Sequence, residues 1–225
     1  TRGEAMRREA ALKKLPRAEK QALADGLARS EDEFLTVYDA NRQPCGVLPR
    51  ALVHRCGLLH FVAHLHVFQT RDGVPGVWLQ QRSFDKKAAP GAYDWAATGH
   101  VDPGENPLDA ACREAFEECG LSLPAESLRP AGEQRVKTVY APDFVDDELA
   151  GSFAYVAEKP PAFSPGPEVQ RMVWTACDAL AETLREGVPL PVTAADGTRE
   201  CIPPAELSRG LAEWRQVCRA LGRRV

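Results

Sequence analysis

Positive charge is in short supply here: 28 Lys and Arg face 32 Asp and Glu, for a net charge of −4. A chain without a basic excess lacks the electrostatic footprint for nucleic acid or an anionic membrane surface. No apolar run approaches the roughly 20 residues of a membrane span, so no membrane partner is expected. The polar start Thr1-Arg-Gly-Glu-Ala reads as no signal peptide, and the missing initiator Met as a trimmed start. The seven cysteines are odd in number and include no C-x-x-C pair, which excludes a disulfide framework or zinc ribbon. Reduced thiols in a cytoplasmic protein are the expectation. Internal repeats and low-complexity tracts are absent too.

What is present is ordinary for a globular chain, with 44% hydrophobic and 27% charged residues over 225 positions. That length carries one domain with extensions. Residues 3–30 have a helical pattern, broken at Pro16 into Glu4–Leu15 and Ala18–Ala28. An alternating stretch predicts a strand at Phe34–Tyr38, and further strands are predicted at Cys45–Leu48, His60–Thr70, Val77–Arg82, Glu133–Tyr140, Gly151–Ala157 and Val169–Thr175. Helices are predicted at Cys177–Glu186 and Pro204–Leu221, with Pro189–Pro204 irregular between them. Strands grouped with a few helices imply an α/β protein, an α/β/α sandwich on a mixed sheet. The division is a helical extension over 1–32, a central domain over 33–190, and a C-terminal loop and helix over 191–225.

The densest chemistry lies between Gly99 and Leu121. A glycine-rich loop carries Glu105; Asn106 and Pro107 are suited to start a helix and Gly120 to end it. At about 100° per residue, Glu114, Glu117 and Glu118 share one helical face. Leu108, Ala111, Cys112, Ala115 and Cys119 lie on roughly the opposite one. Like charges at these spacings repel, so a cation belongs over them, and an oxygen-rich cluster suits Mg²⁺ or Mn²⁺. A solvated acidic face would not require Glu105 and Arg113 at fixed offsets.

This stretch resembles the Nudix box, G-x5-E-x7-R-E-U-x-E-E-x-G-U, where U is bulky and apolar. Each position of fixed identity matches, and Ala115 at a U position is the one soft departure. The resemblance implies a Nudix-type α/β/α sandwich in which Glu114, Glu117 and Glu118, with the carbonyl of Gly99, hold a divalent metal. It makes Glu105, Arg113 and Gly120 supporting residues. Arg82 ends a strand, and Lys86 and Lys87 sit in the loop leading back to the box, where cations can clamp phosphate oxygens.

Residues 33–185 further resemble the Nudix branch related to type I isopentenyl-diphosphate isomerase. The likeness runs through Leu35–Gly46, His54, His60, and the Arg82, Lys86, Pro90, Gly91 segment. It implies a metal site at His54, His60, His100, Asp146 and Glu148, with Arg82 and Lys86 on the diphosphate. Two departures argue against isomerisation. The isomerase's catalytic cysteine is replaced by Thr98, a hydroxyl far less acidic than a thiol, and the carboxylate box is complete here. The expectation is a Mg²⁺- or Mn²⁺-dependent hydrolase, a monomer or homodimer, cleaving a small-molecule diphosphate of the nucleoside-diphosphate-linked-to-X type. Glu114, Glu117 and Glu118 would act on metal, and Glu117 or Glu148 on the attacking water. An isomerase-like enzyme or a prenyl-diphosphate hydrolase is the alternative.

Overall fold

Apolar residues alternating along extended segments organise the protein around strands, here in a computed structural model that describes residues 33–223. The extension over 1–32, with its two predicted helices, lies outside the described residues. In chain order the strands are β1 (Phe34–Tyr38), β2 (Pro44–Pro49), β3 (Leu59–Arg71), β4 (Val74–Arg82), β5 (Tyr93–Trp95), β6 (Ala97–His100), β7 (Arg129–Ala141), β8 (Phe144–Ala157), β9 (Val169–Ala176), β10 (Leu190–Ala194) and β11 (Arg199–Ile202). The helices are α1 (Arg50–Cys56), α2 (Pro107–Cys119), α3 (Cys177–Glu186) and α4 (Leu211–Ala220). This is the α/β class expected.

Two compact units divide the chain. The first comprises the described residues up to Phe61, with His100–Asn106 and Arg135–Leu149. In it β1 and β2 form an antiparallel hairpin, and Val37 pairs with His60 at the start of β3. Leu35, Val37, Val53 and Leu58 make its apolar core. Gly57 ends α1 in the left-handed conformation (φ 57°, ψ 48°), which turns the chain directly into β3.

The second unit holds Val62–Gly99, Pro107–Gln134 and the residues from Ala150 onward. Its strands run in the order β11-β10-β9-β4-β3, with β5 on β4. The β3–β4, β4–β9, β9–β10 and β10–β11 ladders are antiparallel. Pro189–Pro204, expected to be irregular, is largely the β10–β11 hairpin. Its turn signal was Asp196-Gly197: Gly197 takes φ 90°, and the Asp196 carboxylate accepts the Thr198 N–H at 2.9 Å. Leu190 and Val192 alternate inward on β10, and the prolines on either side masked that pattern.

Helices α3 and α4 supply apolar faces to this unit. Leu180 and Ala181 of α3 join Trp214, Val217 and Cys218 of α4 in one core with Phe68, Leu79 and Trp95. Trp214 stacks near-parallel with Phe68 (5.7 Å between centroids) and Trp95 (6.0 Å). Beside it, Glu213 is buried and accepts from Ser152 Oγ at 3.0 Å, with His64 Nδ1 at 2.7 Å and His66 Nε2 at 3.4 Å. So His64 of β3 is held by the last helix, and His66 of the same strand stands within ion-pair distance of the same carboxylate. Among the described residues no helix is long and apolar enough to cross a membrane.

Burial pushes the Glu213 carboxyl up, and the facing His64 and His66 outweigh it, holding it well below its ordinary range. A carboxylate with a depressed folded value stabilises the fold above the unfolded value of about 4.3 and loses that contribution as pH falls. His66, driven down by its own burial, adds to the same acid-side loss. Glu213→Gln should therefore flatten the decline in urea-unfolding stability below about pH 5, while lowering stability at neutral pH. An unchanged acid limb would mean Glu213 is not the group responsible.

Candidate functional site

Proline at its first position and a glycine past its end delimit α2, which carries the box carboxylates. Gly120 takes φ 69°, and a side chain there would strike Ser164, whose N–H binds the Cys119 carbonyl at 2.9 Å. The three glutamates share a helical side but not an environment. Glu118 is 3% exposed, in the buried set with Ala111, Ala115 and Cys119. Its Oε2 accepts from Gln80 Nε2 of β4 and from the Thr98 backbone N–H, both at 2.7 Å. Glu114 is mostly buried, with a side chain 12% exposed, whereas that of Glu117 is 54% exposed.

Gly99 lets the Glu114 carboxylate come close. A Cβ added at Gly99 would lie 2.0 Å from Glu114 Oε1. Arg113 spans two acids, Nη1 standing 2.6 Å from Glu114 Oε1 and 3.2 Å from Glu117 Oε2. Burial lifts Glu114 to about 7, a rise that Arg113 only partly offsets. Burial also drives Glu118 to about 8, with Glu114 adding repulsion and the Thr98 amide relieving some of it. The donor set is all oxygen, crowded and short of compensating charge, which fits a hard divalent cation.

The expected phosphate-binding cations have other partners. Arg82 Nη1 lies 3.4 Å from Asp94 Oδ2, and its Nε donates to the Ala88 carbonyl at 3.3 Å. The Arg82 side chain is only 12% exposed. Lys86 is paired with Glu168. Arg209, from the loop before α4, donates to Asp94 Oδ1 at 2.7 Å, a contact 115 positions along the chain. Glu105 belongs to the first unit, where its Oε2 accepts the Asp102 N–H at 3.0 Å.

The first unit holds a second concentration of ligating groups. The short helix α1 carries His54, β3 opens with His60, and His100 ends β6. The Val101 N–H binds the Phe61 carbonyl at 3.1 Å, fixing the level of His100. The three imidazole centroids form a near-equilateral triangle of 5.2, 5.4 and 5.3 Å. On β8, period-2 alternation sends Asp146 and Glu148 to one face and Asp147 to the other. Asp147 is held by Arg135 (2.7 and 2.9 Å) and Lys137 (2.8 Å). Ligand atoms of His54, His60 and His100 all lie within 4.8 Å of one another, as do those of His60, Asp146 and Glu148.

Asp146 Oδ1 stands 3.4 Å from His54 Nε2 and 3.3 Å from His60 Nε2, yet none of these buried atoms makes a well-formed hydrogen bond. Orphaned nitrogen and oxygen atoms converging on one point fit a cation better than they fit each other. Burial moves His54 down to about 4. His60 moves up: burial opposes the rise, but Asp146 and the Leu58 carbonyl overcome it. Asp146 drops to about 2, because His60, His54 and His100 outweigh its burial. Four polar partners were not predicted: Glu33, Gln80, Arg209 and Glu213. Each acts across a long sequence separation that no local pattern reports.

A NUDIX domain model matches residues 60–194. The chain is 40% identical over 90 residues to an uncharacterised Nudix hydrolase of Rhodococcus erythropolis, covering 40% of this chain and 48% of that one. It thus spans about half the length of that relative. It is 31% identical over 137 residues to an isopentenyl-diphosphate Delta-isomerase of Clavibacter sepedonicus, covering 60% of this chain and 69% of the other. The fold is similar to the crystal structure of DR0079 from Deinococcus radiodurans, with TM-score 0.54 and 21% identity over 69% of this chain and 90% of that one. With a family model spanning more than half its length, and box carboxylates gathered on one helix, the chain belongs to the Nudix family.

Proposed function

We propose that this protein is a divalent-metal-dependent hydrolase that cleaves the phosphoanhydride bond of a small-molecule diphosphate, of the nucleoside-diphosphate-linked-to-X type. The observation that carries this reading is the α2 cluster, in which Glu118 is buried on uncharged donors while Glu114 crowds Gly99. Glu114, Glu117, Glu118 and the Gly99 carbonyl would hold Mg²⁺ or Mn²⁺. Bound there, the ion would neutralise phosphate oxygens and acidify a water. Glu117, the most solvent-accessible of the three, takes the proton of the attacking water on this reading. Gln80 and the Thr98 amide keep Glu118 turned one way. Lys86 enters by exchanging Glu168 for phosphate, more readily than the enclosed Arg82 exchanges Asp94.

The cluster of His54, His60, His100, Asp146 and Glu148 favours a second reading, chemistry on a prenyl diphosphate, either hydrolysis or isomerisation. Against isomerisation, Thr98 stands at the acid position of the resembling isomerases, and a hydroxyl is a poor proton donor to carbon.

Phosphorus NMR on nucleoside diphosphates, dinucleotides, sugar nucleotides and isopentenyl diphosphate, with Mg²⁺ or with EDTA, separates the readings. Metal-dependent cleavage of an anhydride is expected. Conversion of isopentenyl to dimethylallyl diphosphate without cleavage would overturn the hydrolase reading.

Glu117→Gln should lower kcat by about 100-fold or more at saturating Mg²⁺; near-normal turnover would remove Glu117 from the chemistry. Gly99→Ala should displace the Glu114 carboxylate and weaken Mn²⁺ binding to the α2 cluster by about 10–100-fold. Calorimetric titration giving an unchanged affinity would show that Glu114 does not depend on that clearance.

A further inference from the structure

The carboxylate of Glu33, just ahead of β1, bridges two groups of the first unit. Its Oε1 lies 2.7 Å from His100 Nδ1, and its Oε2 accepts from Arg50 Nη1 at 2.8 Å. The Glu33 backbone carbonyl also accepts the Arg50 N–H at 2.8 Å, so side chain and main chain tie the same pair. Arg50 is the first residue of α1, the helix that carries His54 one turn on. Glu33 thus connects the start of β1, the start of α1 and the imidazole of His100.

A carboxylate facing Nδ1 of a neutral imidazole requires the proton there, which places the lone pair on Nε2. His60 follows the same pattern by another route, its Nδ1 lying 2.9 Å from the Leu58 carbonyl. Two of the three clustered imidazoles therefore have Nδ1 against an oxygen acceptor. Free histidine has no such restriction, and a metal ligand needs it, because ring orientation and tautomer must be set before the ion arrives.

We propose that Glu33, clamped by Arg50, is a positioning residue that holds His100 in the Nδ1–H tautomer with Nε2 offered to the histidine–carboxylate cluster. This rests on reading His54, His60, His100, Asp146 and Glu148 as a divalent-metal site. Glu33 touches no ion on this account; it acts through His100. Its side chain is 37% exposed, so its replacement leaves the apolar core intact.

The full chain, with Mn²⁺ as the probe, tests this in two measurements. Long-range nitrogen–proton NMR on the metal-free protein reads the His100 tautomer. Pulsed EPR reads imidazole nitrogen coupled to Mn²⁺, a signal the all-oxygen α2 cluster does not produce. Glu33→Ala is expected to release His100 into a mixture of tautomers and to weaken the nitrogen-coupled Mn²⁺ site by about 10–100-fold. Glu33→Gln, which keeps an acceptor oxygen, should restore part of both. Arg50→Ala should give a smaller change in the same direction. An unaltered tautomer and an affinity within about twofold of wild type in Glu33→Ala would overturn the positioning role. Replacing His54, His60 and His100 together by Ala should abolish the nitrogen coupling; its persistence there, or its absence in the wild type, would instead overturn the metal-site reading.

Discussion

Buried carboxylates are the constraint around which this protein is arranged. Removing an ionised acid from water is unfavourable unless something replaces the solvent, and the structure answers that demand differently at each position. Asp147 is met by Arg135 and Lys137, and Asp94 by Arg82 and Arg209. Glu213 is met by two imidazoles and a hydroxyl. For Glu118 the hydrogen-bond donors are a backbone N–H and a side-chain amide, both uncharged. The acid pushed to about 8 is therefore the one on which an arriving cation has most effect.

The same logic sorts the arginines and lysines. Arg82 reads in the sequence as a candidate phosphate ligand, because it ends a strand just before a basic loop. In the fold it neutralises Asp94, whose carboxyl is pushed up by burial and brought below its ordinary value by Arg209 and Arg82 together. Arg82 therefore has a structural duty whatever its part in binding. Lys86, on the loop itself and paired with Glu168, is less committed. Ion pairs of exposed side chains are weak and exchange readily with solvent or ligand.

Much of the fold was legible from local pattern. Extended apolar stretches located β1, β3, β4 and β9, and the helix over Cys177–Glu186 has the predicted bounds. The hairpin over Leu190–Ile202 escaped because prolines interrupt the alternation that its Asp-Gly turn would otherwise have supported. On α2, helical periodicity placed Glu114, Glu117 and Glu118 on one side, and it could not say that this side runs from buried at Glu118 to half-exposed at Glu117. Periodicity reports angle around an axis; exposure depends on what packs against it, here β4 through Gln80.

The sequence by itself determined the family and the α/β class, because those rest on a box of near-contiguous residues and on the pattern of strands and helices; the group of His54, His60, His100, Asp146 and Glu148, spread over four elements, was named only through the resemblance. Tertiary structure alone decided the partners. Glu33 with His100, Gln80 with Glu118, Arg209 with Asp94, and Glu213 with His64 each join positions that lie 38 to 149 residues apart. Hydrogen bonds and ion pairs act over a few ångströms and are indifferent to chain separation. Only the folded backbone, by setting which strands and helices are neighbours, could choose them.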